Sequence, residues 1–168
     1  MKVFLSVSSI LLASVLGIQG DKVPNILTSA NLKSSLIAAG FTPVDDSTGV
    51  EIVTITTKSG DKFPETLSVS ADDSFLWIQV GFGTIPDADA TNSAWMLNLL
   101  KENEDIEPGQ FNIYVDKEKN HLELSFPVIN QNMDDKEIKF EVNNFVKVAE
   151  ESSKYWQYPS TIIAPPSK

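Results

Sequence analysis

Residues Phe111 to Val128, FNIYVDKEKNHLELSFPV, carry the plainest structural signal in the chain. Phe111, Ile113 and Val115 alternate with Asn112, Tyr114 and Asp116. After the polar run Lys117 to Asn120 the alternation resumes, with Leu122, Leu124, Phe126 and Val128 set against His121, Glu123 and Ser125. A period of two sends alternate side chains to opposite faces of a strand, so the segment is a β-hairpin with one apolar face and one mainly polar face. An apolar sheet face needs a layer packed on it, and the neighbouring segments supply helices.

Downstream, Asp134 followed by Glu137 has the form of a capping box. Ile138, Val142, Phe145, Ala149 and Trp156 then share one helical face as far as about Gln157. Upstream, Glu107-Pro108-Gly109 reads as a loop, and Ala94 to Asn103 as a helix with an apolar stripe of Met96, Leu97 and Leu100. Three strands precede that helix: Val50 to Lys58, rich in β-branched residues and ending at Ser59-Gly60-Asp61; Thr66 to Ser70; and Phe75 to Phe82. Ala71-Asp72-Asp73-Ser74 joins the last two with turn-forming residues. Thr28 to Ala39 is the first helix, with Leu32, Leu36 and Ala39 in register, Gly40 at its end and Pro43 forbidding continuation. The expected order is α-β-β-β-α-β-β-α. Short connections make this an α+β domain: an antiparallel sheet of about five strands with the helices on one face.

That order over residues 28 to 158 resembles the type III secretion chaperone-like (CesT-type) fold, and in particular the YbjN-like group. The local features that carry the likeness are the helix Ala94-Trp-Met-Leu-Asn98-Leu-Leu, the strand Gly109-Gln-Phe111-Asn-Ile113-Tyr-Val115, the strand Leu122-Glu-Leu124-Ser-Phe126-Pro127, and the closing helix. The resemblance implies a small non-enzymatic module that often dimerises and binds a polypeptide along its surface. Its motifs describe core and turns rather than a reaction.

The ends of the chain read differently from its middle. Met1-Lys2 is a short positive start, and Val3 to Leu16 is apolar except for Ser and Ala, as in a secretory signal peptide. The run is shorter than the roughly 20 residues that span a bilayer. Cleavage is expected after Gly20, which makes residues 1–20 a signal peptide, 21–158 the domain and 159–168, with Pro165-Pro166, a flexible tail. The protein is then exported, to a periplasm or the medium, with no membrane span once the signal is removed. The chain has no cysteine, so neither a lipid-modified cysteine nor a disulfide framework is available. Its 13 basic residues are all lysine, against 23 acidic ones, for a formal net charge of −10. Such a chain has no electrostatic footprint for phosphate backbones, which argues against nucleic acid as a partner.

Catalytic chemistry finds little support. His121 is the single histidine and is expected at a solvated turn; the serines lack a nucleophile-elbow context, and one histidine without cysteine cannot assemble a usual zinc site. Acid pairs occur at Asp45-Asp46, Asp72-Asp73, Asp87 with Asp89, and Asp134-Asp135, all where turns and helix starts favour Asp. Asp87-x-Asp89-x-Thr91 matches the start of a calcium loop, but Asn92 and Asn98 stand where that loop needs Gly and Glu. No catalytic residue, metal ligand or cofactor is therefore assigned. The aromatics are more informative. With Leu76, Ile78, Val80 and Phe82 on the core face of their strand, Phe75, Trp77 and Gln79 fall on the other, and Tyr114 is likewise off the core face of its own. If helices cover one side only, these four residues form a partner-binding or dimer surface; the alternative is cross-strand packing or cover by a helix. Trp95 and Trp156 are expected to be packing residues. The function expected is an exported protein-binding or chaperone-like module of the bacterial cell envelope, acting as monomer or homodimer on a protein or peptide. The alternatives are a carboxylate-based hydrolase and a carrier of a small apolar ligand.

Overall fold

The computed structural model describes residues 25–45, 51–57, 60 and 62–159. The expected signal peptide lies outside the described residues, as does the expected tail apart from Pro159. The elements are α1 (Leu32–Ala38), β1 (Val44–Asp45), β2 (Glu51–Thr56), β3 (Lys62–Val69), β4 (Phe75–Thr84), α2 (Asp87–Ala90), α3 (Ser93–Asp105), β5 (Gln110–Asp116), β6 (Lys119–Ile129), α4 (Asp135–Glu151) and α5 (Ser153–Trp156). The fold is α+β, with six strands in one antiparallel sheet ordered β1-β2-β3-β4-β6-β5. Leu67 of β3, Leu76 and Ile78 of β4 and Leu122 and Leu124 of β6 join Leu32 and Leu36 of α1, Trp95 and Leu99 of α3 and Val142 and Phe145 of α4 in a single core. The alternation read along β4 and β6 thus points the apolar side chains at the helix layer.

The sixth strand is the two-residue β1, which pairs Val44 with Ile52 at the sheet edge and is too short to show a period. β3 starts before the expected Thr66 and runs through Pro64. Proline is tolerated there because the β3–β4 ladder begins only at Glu65↔Val80, so the missing N–H falls beyond it. β4 continues past Phe82 by shifting register between Gly81 and Gly83, the latter at φ +86°. The β5–β6 hairpin closes on two residues, Lys117 and Glu118, both left-handed (φ 48° and 65°). That geometry matches the twist of the flanking strands. Lys119 and Asn120 are therefore strand, and His121 sits within β6 rather than in the turn.

Two helical expectations change. The buried stripe of α3 is Trp95, Leu99 and Glu102; of the expected Met96, Leu97 and Leu100, Met96 packs partly against the core and the two leucines do not. Leu97 and Leu100 are 52% and 64% exposed, because burying the larger indole, whose Nε1–H reaches Tyr155 O at 2.8 Å, rotates the helix away from the leucine pair. The long last helix breaks at Ser152, and Trp156 turns back in α5 to stack on Phe82 at 4.5 Å and donate to Ala149 O at 2.8 Å. Both tryptophans are thus packing residues. Two of the acid pairs serve the chain locally: Asp72 accepts from Ser70 Oγ, Ser74 N and Ser74 Oγ, which holds its carboxyl down at about 2, and Asp134 caps α4 by accepting from Lys136 N and Glu137 N. Where a calcium loop was weighed, Asp87–Ala90 is a helical turn with Asp89 buried.

Candidate functional site

The face of the sheet turned away from the helices is built in rows set by strand register. Phe75 lies opposite Ile129, Trp77 between Ser68 and Pro127, Gln79 between Thr66 and Ser125, and Gly81 opposite Glu123. On the far side of β6, Asn112 lies opposite Glu123 and Tyr114 opposite His121. All four sequence-derived positions, Phe75, Trp77, Gln79 and Tyr114, fall on this face. Phe75 and Tyr114 are exposed, and Trp77 and Gln79 are half-buried by their strand neighbours.

The four do not meet at one point. Phe75 and Trp77 pair, with ring centroids 6.3 Å apart. Tyr114 stacks instead on His121 at 5.3 Å. Because β6 is inserted between β4 and β5, the rows of Trp77 and Tyr114 are six residues apart along β6, about 20 Å at ~3.3 Å per residue. Between the aromatic ends is a polar centre that sequence reading did not find. The Gln79 amide donates to Glu123 Oε1 at 2.9 Å, and the Asn112 amide donates to Ser125 Oγ at 2.6 Å. Burial pushes the Glu123 carboxyl up, and the Gln79 hydrogen bond draws it partly back. Gly81 leaves a dip beside Glu123, since a Cβ there would meet no atom within 4 Å. The signal for this network lay in the polar half of the alternation, but its pairing depends on register.

The surface is aromatic at both ends and hydrogen-bonding in the middle. It presents side chains suited to contact, not a nucleophile with a base beside it. Among the described residues no group of three or more His, Asp or Glu could hold a metal ion, and no helix is long and apolar enough to cross a membrane. No protein-family model matches the chain, and no curated protein matches it.

Proposed function

We propose that the domain is an exported, non-enzymatic protein-binding module of the cell envelope that engages its partner from the face of its sheet turned away from the helices. The observation that carries this reading is the Phe75–Trp77 pair, two large aromatics side by side at one end of that face with Ile129 exposed beside them. Aromatic residues flanked by apolar neighbours are the usual anchors of protein interfaces. The W77S variant is expected to weaken partner capture by the full chain at least tenfold, on the order of the ~2 kcal/mol typical of an interface anchor, with an unchanged circular dichroism spectrum. Loss of the fold in W77S would assign the indole to structural packing and sink the reading.

The hydrolase alternative finds acids in several grooves: Glu137 and Glu141 in one, Glu102, Asp105, Glu107 and Glu151 in another, and Asp87 and Glu118 in a third. Glu137 and Glu141 lie one turn apart on one helix, so they stand side by side on the same wall rather than on opposite sides of a bond to be cut, which is the arrangement glycoside cleavage uses. The binding reading is preferred because the Phe75–Trp77 pair favours it.

A further inference from the structure

β5 covers only part of β6. The β5–β6 ladder ends at Gln110↔Ser125, while β6 runs on to Ile129. Over residues 126–129 the strand has β4 on one side and, among the described residues, no strand on the other. Asn130 gives its N–H to Ser74 O on the β4 side, so alternation turns the Ile129 N–H and the Pro127 carbonyl toward the vacant side. The N–H that Pro127 lacks would also point there, which is where a sheet tolerates proline.

This half-edge forms one wall of a groove of about 630 Å³ whose other wall is α4. Phe126, Val128 and Met133 line it as buried apolar residues, while Ile129 and Phe140 are 65% and 61% exposed at its rim. The charged groups lining it are Glu137 and Glu141, with no lysine among them. Neither is in a salt bridge; among the described residues the one ion pair is Lys147–Glu151. Burial, and then the charge of Glu137, push the Glu141 carboxyl up, so a cation entering the groove would be favoured by both carboxylates.

We infer that this groove takes an extended peptide of alternating apolar and basic residues, added as a short strand to the free half-edge of β6. The inference rests on the protein-binding reading and gives it a second contact and a partner chemistry. Strand addition supplies main-chain hydrogen bonds at Pro127 O and Ile129 N; alternation then turns the apolar side chains to the open face beside Ile129 and the lysine or arginine side chains to the helix side, where their stems cover Phe140 and their charges meet Glu137 and Glu141. An edge of four residues is about 13 Å long and seats four or five residues of peptide. A second copy of this chain fits less well. It would bring the same acidic groove, on a chain of net charge −10, against itself.

The test is a titration of the ¹⁵N-labelled full chain with a blocked hexapeptide alternating lysine and valine, beside its glutamate–valine counterpart and a backbone N-methylated lysine–valine version. The expected result is saturable binding of the lysine peptide, with amide shifts at Ile129 and along α4. Binding should be at least tenfold weaker for the glutamate peptide, the N-methylated peptide, the E137Q/E141Q variant and F140S, and unchanged in L100S, at an exposed position of α3 outside the groove. Equal binding of the lysine and glutamate peptides overturns the proposal, as does the absence of saturable binding. Binding lost in W77S but kept in F140S places the peptide on the open face, which overturns the groove and leaves the protein-binding reading standing. A dimer in sedimentation that F140S dissociates assigns the groove to a second copy and overturns the peptide proposal.

Discussion

Replacing Glu65 by methionine is expected to raise stability by ~3 kcal/mol at pH 8 and to remove most of its dependence on alkaline pH. Glu65 lies on the helix-covered face of β3, between Val53 and Val80 in the neighbouring strands, and is 0% exposed. Neither of its carboxyl oxygens has a hydrogen-bond partner, and Glu51 on β2, whose Oε2 is also buried without a partner, is its diagonal neighbour. Burial pushes the Glu65 carboxyl from 4.5 up to about 9. The folded protein thus holds a proton that the unfolded chain releases above pH 4.5. The unfolded state binds fewer protons in this window, so stability falls as pH rises from about 4.5 to about 9 and is level outside it. The full linkage is ~1.4 kcal/mol per pH unit. The smaller ~3 kcal/mol is expected because relaxation and water penetration lower the cost of a real buried charge. Methionine keeps the length and removes the oxygens, whereas E65Q removes the ionisation but keeps a buried amide in need of partners, so it should flatten the pH profile with a smaller gain. Urea denaturation of the three proteins at pH 5, 7 and 8.5 is the measurement. Parallel pH profiles for wild type and E65M would refute the assignment. Asp72, held down at about 2 and exposed, gains its proton far below this window, so its linkage has the opposite sign at a different pH and does not blur the result.

The contrast between Glu65 and its neighbours shows what the sequence made legible. Period two is a local property, so the two faces of β4 and β6 were readable: Leu76, Ile78 and Val80 are buried, and Phe75, Trp77 and Gln79 lie opposite. Glu65 fell outside the expected strand, which began at Thr66, and nothing local says that its carboxyl lies on the core side of β3 without a partner. For α3 the local signal was ambiguous, because Trp95-Leu99-Glu102 and Met96-Leu97-Leu100 both fit helical spacing. The choice was made by the distant Tyr155 carbonyl that accepts the Trp95 indole Nε1–H. The candidate surface divides in the same way. Which face Tyr114 takes was legible, but its separation from Trp77 follows from β6 lying between β4 and β5, and strand order is a tertiary fact. The vacant half-edge of β6 was invisible for the same reason, since it depends on where β5 starts relative to its partner.

The N130A variant is expected to lose ~4 kcal/mol of stability, a cost usually associated with a large core side chain although only a small polar one is removed. Asn130 reads as a loop residue in Ile129-Asn-Gln-Asn-Met133, yet it is 1% exposed. Its Oδ1 accepts the Leu27 N–H at 2.9 Å, and its Nδ2 donates to Leu27 O and to Asp73 O, each at 2.8 Å. One side chain therefore ties the segment before α1 and the β3–β4 turn to the end of β6. Asn25 reinforces the first tie through Met133, with its Nδ2 donating to Met133 O and its carbonyl accepting the Met133 N–H. Alanine would leave buried donors and acceptors unpaired at Leu27, at roughly 1–3 kcal/mol for each group. The N130D variant separates hydrogen-bond loss from lost volume. Aspartate still accepts from Leu27 N, but at neutral pH it sets a carboxylate against two carbonyl oxygens, so it should destabilise at least as much as alanine and recover partly below pH 4, where a protonated oxygen can donate. Urea denaturation gives the stabilities, and amide exchange at Leu27 gives the local consequence, accelerated in both variants. If N130A costs under ~1 kcal/mol and Leu27 exchange is unchanged, the tie is not made in solution. If Leu27 exchange accelerates while global stability holds, the segment before α1 opens as a separate unit, and the loss is confined to the seam between that segment and the sheet.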